Sequence, residues 1–177
     1  SAVGVARMAK FCGVSVNIIT DFSDSNLDRC RAIMERESDY EGVFIDSESA
    51  LDLIKSDTLL IVVDACNKAI MESEDVYNNC SNKVIIDHHR KPEEFSSKPL
   101  ISYIETAASA ASELVTELIE HALPREELRR NEANMLLAGI ILDTKQFTQN
   151  TGSRTFSAAL YLKDRGASPE EIQELFK

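Results

Sequence analysis

The chain has 177 residues, 44% hydrophobic and 28% charged, with six Gly and four Pro; this excludes a disordered, collagenous or low-complexity polymer and suits one domain. Thirty acidic against 19 basic residues give a formal net charge of -11, which disfavours binding of extended nucleic acid through a broad basic surface. No apolar run approaches the roughly 20 residues that cross a bilayer, so direct membrane contact is not expected.

In chain order, helical and strand-like segments alternate. Ala2 to Phe11 is a small-residue helix stopped at Gly13. Val14 to Ile19 is a strand, Ser25 to Arg36 a helix and Gly42 to Ile45 a short strand. Ser47 to Lys55 opens on a Ser cap and is a helix. Thr58 to Val63 is an unbroken run rich in branched side chains, the pattern of a parallel strand covered on both faces. A helix from about Lys68 to Cys80 precedes the strand Lys83 to Ile86. A polar loop between Pro92 and Pro99 leads into a strand from Leu100 to Ile104. Ser109 to Leu123 is an amphipathic helix broken by Pro124. Glu126 to Leu142 is a second long helix, its apolar latter half predicted to be buried. Thr155 to Arg165 is helical and capped by Gly166, and Ser168-Pro169 start a last short helix. The alternation predicts an α/β fold, a mainly parallel sheet of about five strands flanked by helices and followed by a helical C-terminal part. Ligands of such sheets bind beyond the carboxyl ends of the strands.

Two strands run directly into acidic residues there. Thr58 to Val63 ends in Asp64, and Val84-Ile85-Ile86 ends in Asp87-His88-His89-Arg90. A carboxylate after an apolar strand is costly unless a metal or hydrogen bonds compensate it, although Asp64 could equally cap a helix. Adjacent imidazoles at a strand end can diverge, one ligating a metal and the next facing an anion; solvated loop histidines are the plain alternative. Arg90 and Lys91 add phosphate contacts. Asp143 ends the apolar run Leu136 to Leu142 and is followed by Thr144 and Lys145, the lysine also suiting a helix C-terminus. Asn150 to Thr155 reads either as an anion-binding turn that includes Arg154 or as a capped helix start. Asp64, His88 and Asp143 are hard oxygen and imidazole donors that suit Mn²⁺ or Mg²⁺ better than a thiolate zinc site. The cysteines, at 12, 30, 66 and 80, form no CxxC and are expected as buried reduced thiols of a cytosolic chain.

Val62-Val63-Asp64, Ile85 to Arg90 and Ala138-Gly139-Ile140-Ile141-Leu142-Asp143-Thr144 resemble motifs two, three and four of the DHH phosphoesterases. Ala107-Ala108-Ser109, Glu113 to Leu118 and Thr151 to Phe156 are similar to the GdpP/YybT-type cyclic-di-AMP phosphodiesterases within that family. The resemblance implies Mn²⁺-dependent hydrolysis of cyclic di-AMP to linear pApA at a binuclear centre. It implies Asp64, His88 and Asp143 as metal ligands, His89 as the catalytic His facing the substrate phosphate, and Arg90 and Arg154 as further substrate contacts. The family's first motif, a strand ending in a His followed by two Asp residues, has no counterpart here, and His121 on its helix is no substitute. Residues 1–177 would then be one DHH domain without its first motif and without the DHHA1 domain. Ser1 would mark a cut inside a longer protein anchored in the cell membrane, with this part at its cytoplasmic face. Activity of the chain itself is expected to be impaired or lost, and open strand edges would favour a homodimer. Other DHH activities, such as nanoRNA or pAp phosphatase, and a non-catalytic nucleotide- or partner-binding role are the rival readings.

Overall fold

A computed structural model describes residues 1–20, 25–64, 73–90 and 97–177. The elements are α1 (Ala2–Phe11), β1 (Ile18–Ile19), α2 (Ser25–Glu35), a 3-10 turn (Ser38–Tyr40), β2 (Phe44–Ile45), α3 (Ser47–Leu53) and β3 (Leu59–Val63). There follow α4 (Glu74–Asn79), β4 (Asn82–Asp87), β5 (Ile101–Ile104), α5 (Ala111–Ala122), α6 (Arg130–Asp143), α7 (Ser153–Asp164) and α8 (Pro169–Leu175). The fold is α/β, and every strand pairing among the described residues is parallel, as the alternation predicts. Among the described residues the strands form two ladders, β1 with β2 and, separately, β3-β4-β5. In the larger ladder Val63 lies opposite Ile86, and Asp87 opposite Ile104. The residues just past β3, β4 and β5 therefore share one edge.

α1 ends as its sequence dictates. Gly13 takes φ +72, the Gly13 N–H donates to the Lys10 carbonyl and the Val14 N–H to that of Ala9, which satisfies two end carbonyls of the helix. Helices α5, α6 and α7 enclose the main core, where Leu114, Val115, Ile119, Leu136, Ile140 and Leu162 are all fully buried. A second cluster gathers Ala6, Ile18, Met34, Tyr40 and Val43 around Met135. α6 thus joins both cores, through Met135 and Leu136 on consecutive positions.

Several expectations need correction. The first strand is only Ile18–Ile19, because its partner β2 is two residues long and Val14 is exposed. β3 is not covered on both faces: it ends its ladder, its residues are half-buried and Leu59 is 52% exposed. The cap of α3 is Asp46, whose carboxylate accepts from the Ser49 N–H at 2.7 Å, rather than Ser47. α6 starts at Arg130; Glu127 N–H instead closes a turn onto the Pro124 carbonyl, and Glu132 accepts from the Arg129 N–H. Leu142, at the end of the apolar run, is exposed. Of the described cysteines only Cys80 is buried, and Cys12 is exposed. The start of the Lys68 to Cys80 helix, Cys66, Lys91 and most of the Pro92 to Pro99 loop lie outside the described residues.

Candidate metal centre

The shared edge of β3 and β4 brings the predicted carboxylates and imidazoles together. Asp64 extends the β3 ladder by one bond, its N–H donating to the Ile86 carbonyl at 3.0 Å, and then takes φ +56. Aspartate tolerates this left-handed conformation better than most side chains. His88 lies one residue past the end of β4, with Nε2 3.6 Å from Asp64 Oδ1 and 3.3 Å from Asp143 Oδ2. Asp143 is the last residue of α6, so a strand end, a strand-to-loop turn and a helix end meet at one imidazole nitrogen.

Asp87 has a part that the sequence pattern leaves open. It closes β4, is 3% exposed, and its Oδ1 accepts from the His88 N–H at 2.8 Å. The same oxygen lies 2.5 Å from His89 Nδ1. A carboxylate at Nδ1 fixes the ring orientation and leaves Nε2 as the outward nitrogen. The sequence led to the expectation that the two rings diverge; instead their centroids are 4.6 Å apart at 42°, while their nitrogens address different carboxylates. Asp64, Asp87, His88 and His89 each place one donor atom within 4.8 Å of the others, and Asp143 joins the group through His88.

Electrostatics follow the geometry. Hydrogen bonds to Asp143 and Asp64 push the His88 imidazole up to about 10, against the opposing effect of burial. The His88 hydrogen bond in turn holds the Asp64 carboxyl below the usual range. Two carboxylates concentrated on one imidazole, with a second imidazole alongside, form a donor set that suits a hard or borderline divalent cation. Burial lowers the Ser1 amino group, which feels the charges of Asp64 and Asp143, and Ser1 Oγ is 3.0 Å from Ser112 Oγ at the start of α5. The first turn of α1 therefore borders the site.

The remaining candidates stand further out. Arg90 is exposed, two residues beyond His88. The Arg154 guanidinium is engaged by carboxylates: Nε and Nη2 donate to the two oxygens of Glu117 at 2.9 and 2.7 Å, and Nη1 is 3.9 Å from Glu105. Glu105, just past β5, also accepts from the Ala107 N–H at 3.1 Å. In the Asn150 to Thr155 turn, the Gly152 N–H donates to Thr155 Oγ1 and Thr151 Oγ1 donates to the Gln149 carbonyl, the pattern of a capped helix start. A cleft of about 360 Å³ lined by Ile33, Met135 and Leu175 contains none of these residues.

The model of the "DHH family, N-terminal domain" matches residues 1–140. This chain belongs to the DHH family. Over 179 residues, all of this chain, it is 40% identical to the cyclic-di-AMP phosphodiesterase GdpP of Geobacillus thermodenitrificans, covering 27% of that protein. It is 37% identical over 180 residues, again all of this chain and 27% of the relative, to the cyclic-di-AMP phosphodiesterase PdeA of Listeria monocytogenes. The chain thus spans about a quarter of the length of these curated relatives. Among solved structures, an exopolyphosphatase-related protein from Bacteroides fragilis superposes with a TM-score of 0.77 at 23% identity, over 99% of this chain and 51% of that one. That likeness supports the fold. Among the described residues, no helix of this DHH chain is long and apolar enough to cross a membrane.

Proposed function

We propose that residues 1–177 are the DHH phosphoesterase domain of a longer, membrane-anchored protein that hydrolyses cyclic di-AMP to pApA at a Mn²⁺ centre on the cytoplasmic side. The observation that carries this reading is the convergence of Asp64 and Asp143 on His88 Nε2, at the carboxyl edge of a parallel sheet. Names of relatives that match the whole chain give the substrate class. A divalent cation held by Asp64, His88 and Asp143 would supply Lewis acidity at a phosphoryl oxygen. His89, its ring oriented by Asp87 at Nδ1, would face the substrate phosphate and help to stabilise the charge that develops there. Arg90 adds positive charge beside it, and Arg154 would reach a phosphate after exchanging Glu117 for it.

Binuclear phosphoesterase centres use more ligands than Asp64, His88 and Asp143 supply. The chain on its own should therefore bind Mn²⁺ weakly and turn over slowly. The test incubates the chain, and a longer protein containing it, with Mn²⁺ and with cyclic di-AMP, pApA or pyrophosphate, and identifies the products. The reading expects linear pApA from cyclic di-AMP, lost in His88→Ala. Cleavage of pApA or pyrophosphate without cleavage of cyclic di-AMP would overturn the substrate assignment. Full turnover by the chain alone would overturn the ligand-count argument.

A further inference from the structure

The C-terminal half of α7 carries two buried polar atoms that no other group of the described chain answers. Tyr161 is 6% exposed and packed into the main core, and its hydroxyl has no hydrogen-bond partner among the described residues. Arg165, the cap residue of α7, has a buried Nε that likewise finds no acceptor among them. A buried polar group without a partner is costly, and a charged one more so. Both atoms are donors, and a guanidinium cannot relieve the cost by losing its proton. What the pair lacks is therefore an acceptor, and a negatively charged one suits it best.

Tyr161 and Arg165 are four residues apart, so they stand one turn apart on the same side of α7. Helical side chains lean toward the N-terminus of their helix, which carries the Arg165 stem over the turn of Tyr161. Burial pushes the Tyr161 hydroxyl up; the Arg165 charge opposes this, Glu120 on α5 adds to it and Arg125 opposes it. Arg125, in the connection between α5 and α6, stands over the Tyr161 ring with Cζ 6.0 Å from its centroid. The arginines around Arg165 are committed elsewhere: Arg125 donates to Asp164 at 3.1 Å, and Arg130, whose stem packs beside Gly166, pairs with Glu171. Arg165 has no such carboxylate among the described residues. Two guanidinium groups thus flank one phenol, and only one of them is neutralised.

We propose that the Tyr161 hydroxyl and Arg165 Nε, with Arg125 beside them, form a seat for a small oxyanion of the phosphate class. The seat shares no residue with the His88 group and goes beyond the phosphoesterase reading. Phosphate is chosen over a carboxylate because it carries nearly two negative charges at neutral pH, which two adjacent guanidinium groups favour over one. An oxyanion there would accept from both orphaned donors at once.

The test follows thermal unfolding of the chain in inorganic phosphate, with chloride at equal ionic strength as reference and EDTA throughout. Phosphate that binds only the folded chain raises Tm by mass action, whereas its general exclusion from protein surfaces raises Tm equally in every variant. Tyr161→Phe keeps the ring and loses only an unanswered hydroxyl, so in chloride it should be no less stable than the unaltered chain. In phosphate the unaltered chain should show a saturable rise in Tm that Tyr161→Phe and Arg165→Gln lack. Phosphate affinity by calorimetry should fall about tenfold in each of these variants, and Glu120→Gln, which removes a facing negative charge, should raise it. An equal phosphate effect in all the chains would overturn the proposal. So would a Tyr161→Phe chain that loses stability in chloride, because its hydroxyl would then already be satisfied. Acetate that binds as well as phosphate would overturn the assignment to phosphate.

Discussion

Glu132 is 1% exposed in α6 and survives there because every part of it is used. The Nε of Arg7, from α1, lies 2.9 Å from both of its oxygens, the Tyr40 hydroxyl donates at 2.5 Å, and the Arg129 N–H donates at 3.0 Å. Removing one partner of a buried pair leaves an uncompensated charge, which costs about 3–5 kcal/mol. Arg7→Ala should therefore lower stability by about that amount in urea unfolding, and an unchanged midpoint would remove the pair from the structural account. Asp87 is a second buried carboxylate whose hydrogen bonds justify its burial. Asp87→Asn should weaken Mn²⁺ binding about 10- to 100-fold, read by calorimetry, because it removes a carboxylate charge from the donor group and loosens the acceptor that holds the His88 N–H. Unaltered affinity would dissociate Asp87 from the site. The Asp-His-His triple was legible because a buried strand ending in those three residue types is expensive without a ligand. The partners of Arg7 and Glu132 were not, since they lie 125 positions apart and no local pattern links them.

At the scale of elements, the crossing of α5 and α6 depends on Gly139. A Cβ built there would stand 2.2 Å from Ser112 Oγ and 3.0 Å from Ser112 Cβ. Gly139→Ala should force the helices apart at a cost of about 1–3 kcal/mol, and Ser112→Ala in the same chain should restore part of it. Gly139 is one turn before Asp143, so the same shift should weaken metal binding; a double variant no more stable than Gly139→Ala would contradict the crossing argument. The left-handed turn at 145–147 makes a prediction of opposite sign. Gln146→Gly removes the Cβ penalty and should stabilise the chain by about 0.5–1 kcal/mol in thermal unfolding, whereas a loss would mean that the Gln146 side chain is needed. The sequence signalled helix ends well where glycine marks them, at Gly13 and Gly166, both at positive φ. It could not signal the turn after Thr144, where Lys145, Gln146 and Phe147 take φ of +47, +59 and +62 and Thr144 Oγ1 accepts from the Phe147 N–H. Strand lengths were over-read for a related reason: apolar runs set the potential to pair, and available partners set the extent.

At the scale of the whole molecule, alternating segments were enough to reveal an α/β fold with parallel strands, but the division into two ladders was not legible, because strand adjacency is a long-range property. The cluster around Tyr40 and β1–β2 is tied to the rest through α6 and through Asp39. That carboxylate accepts from Arg7 Nη2 at 3.0 Å and pairs with the Arg129 guanidinium, so it connects α1, the 3-10 turn and the start of α6. The hydrogen bond from Arg7, helped by the charge of Arg129, holds the Asp39 carboxyl below its ordinary range. The folded chain therefore gives up this proton more readily than the unfolded chain. The stabilisation is complete above the unfolded carboxyl value of about 3.9 and is lost as pH falls from there through the lower folded value. Asp39 is 31% exposed, so its contribution is modest, about 1 kcal/mol. Urea unfolding of the chain and of Asp39→Asn should show that difference at pH 6, and the two curves should converge as pH falls through the carboxylate range. Curves that stay parallel down to acid pH would mean that Asp39 stabilises by packing rather than by charge. Curves that coincide at every pH would leave Asp39 no part in joining the two cores.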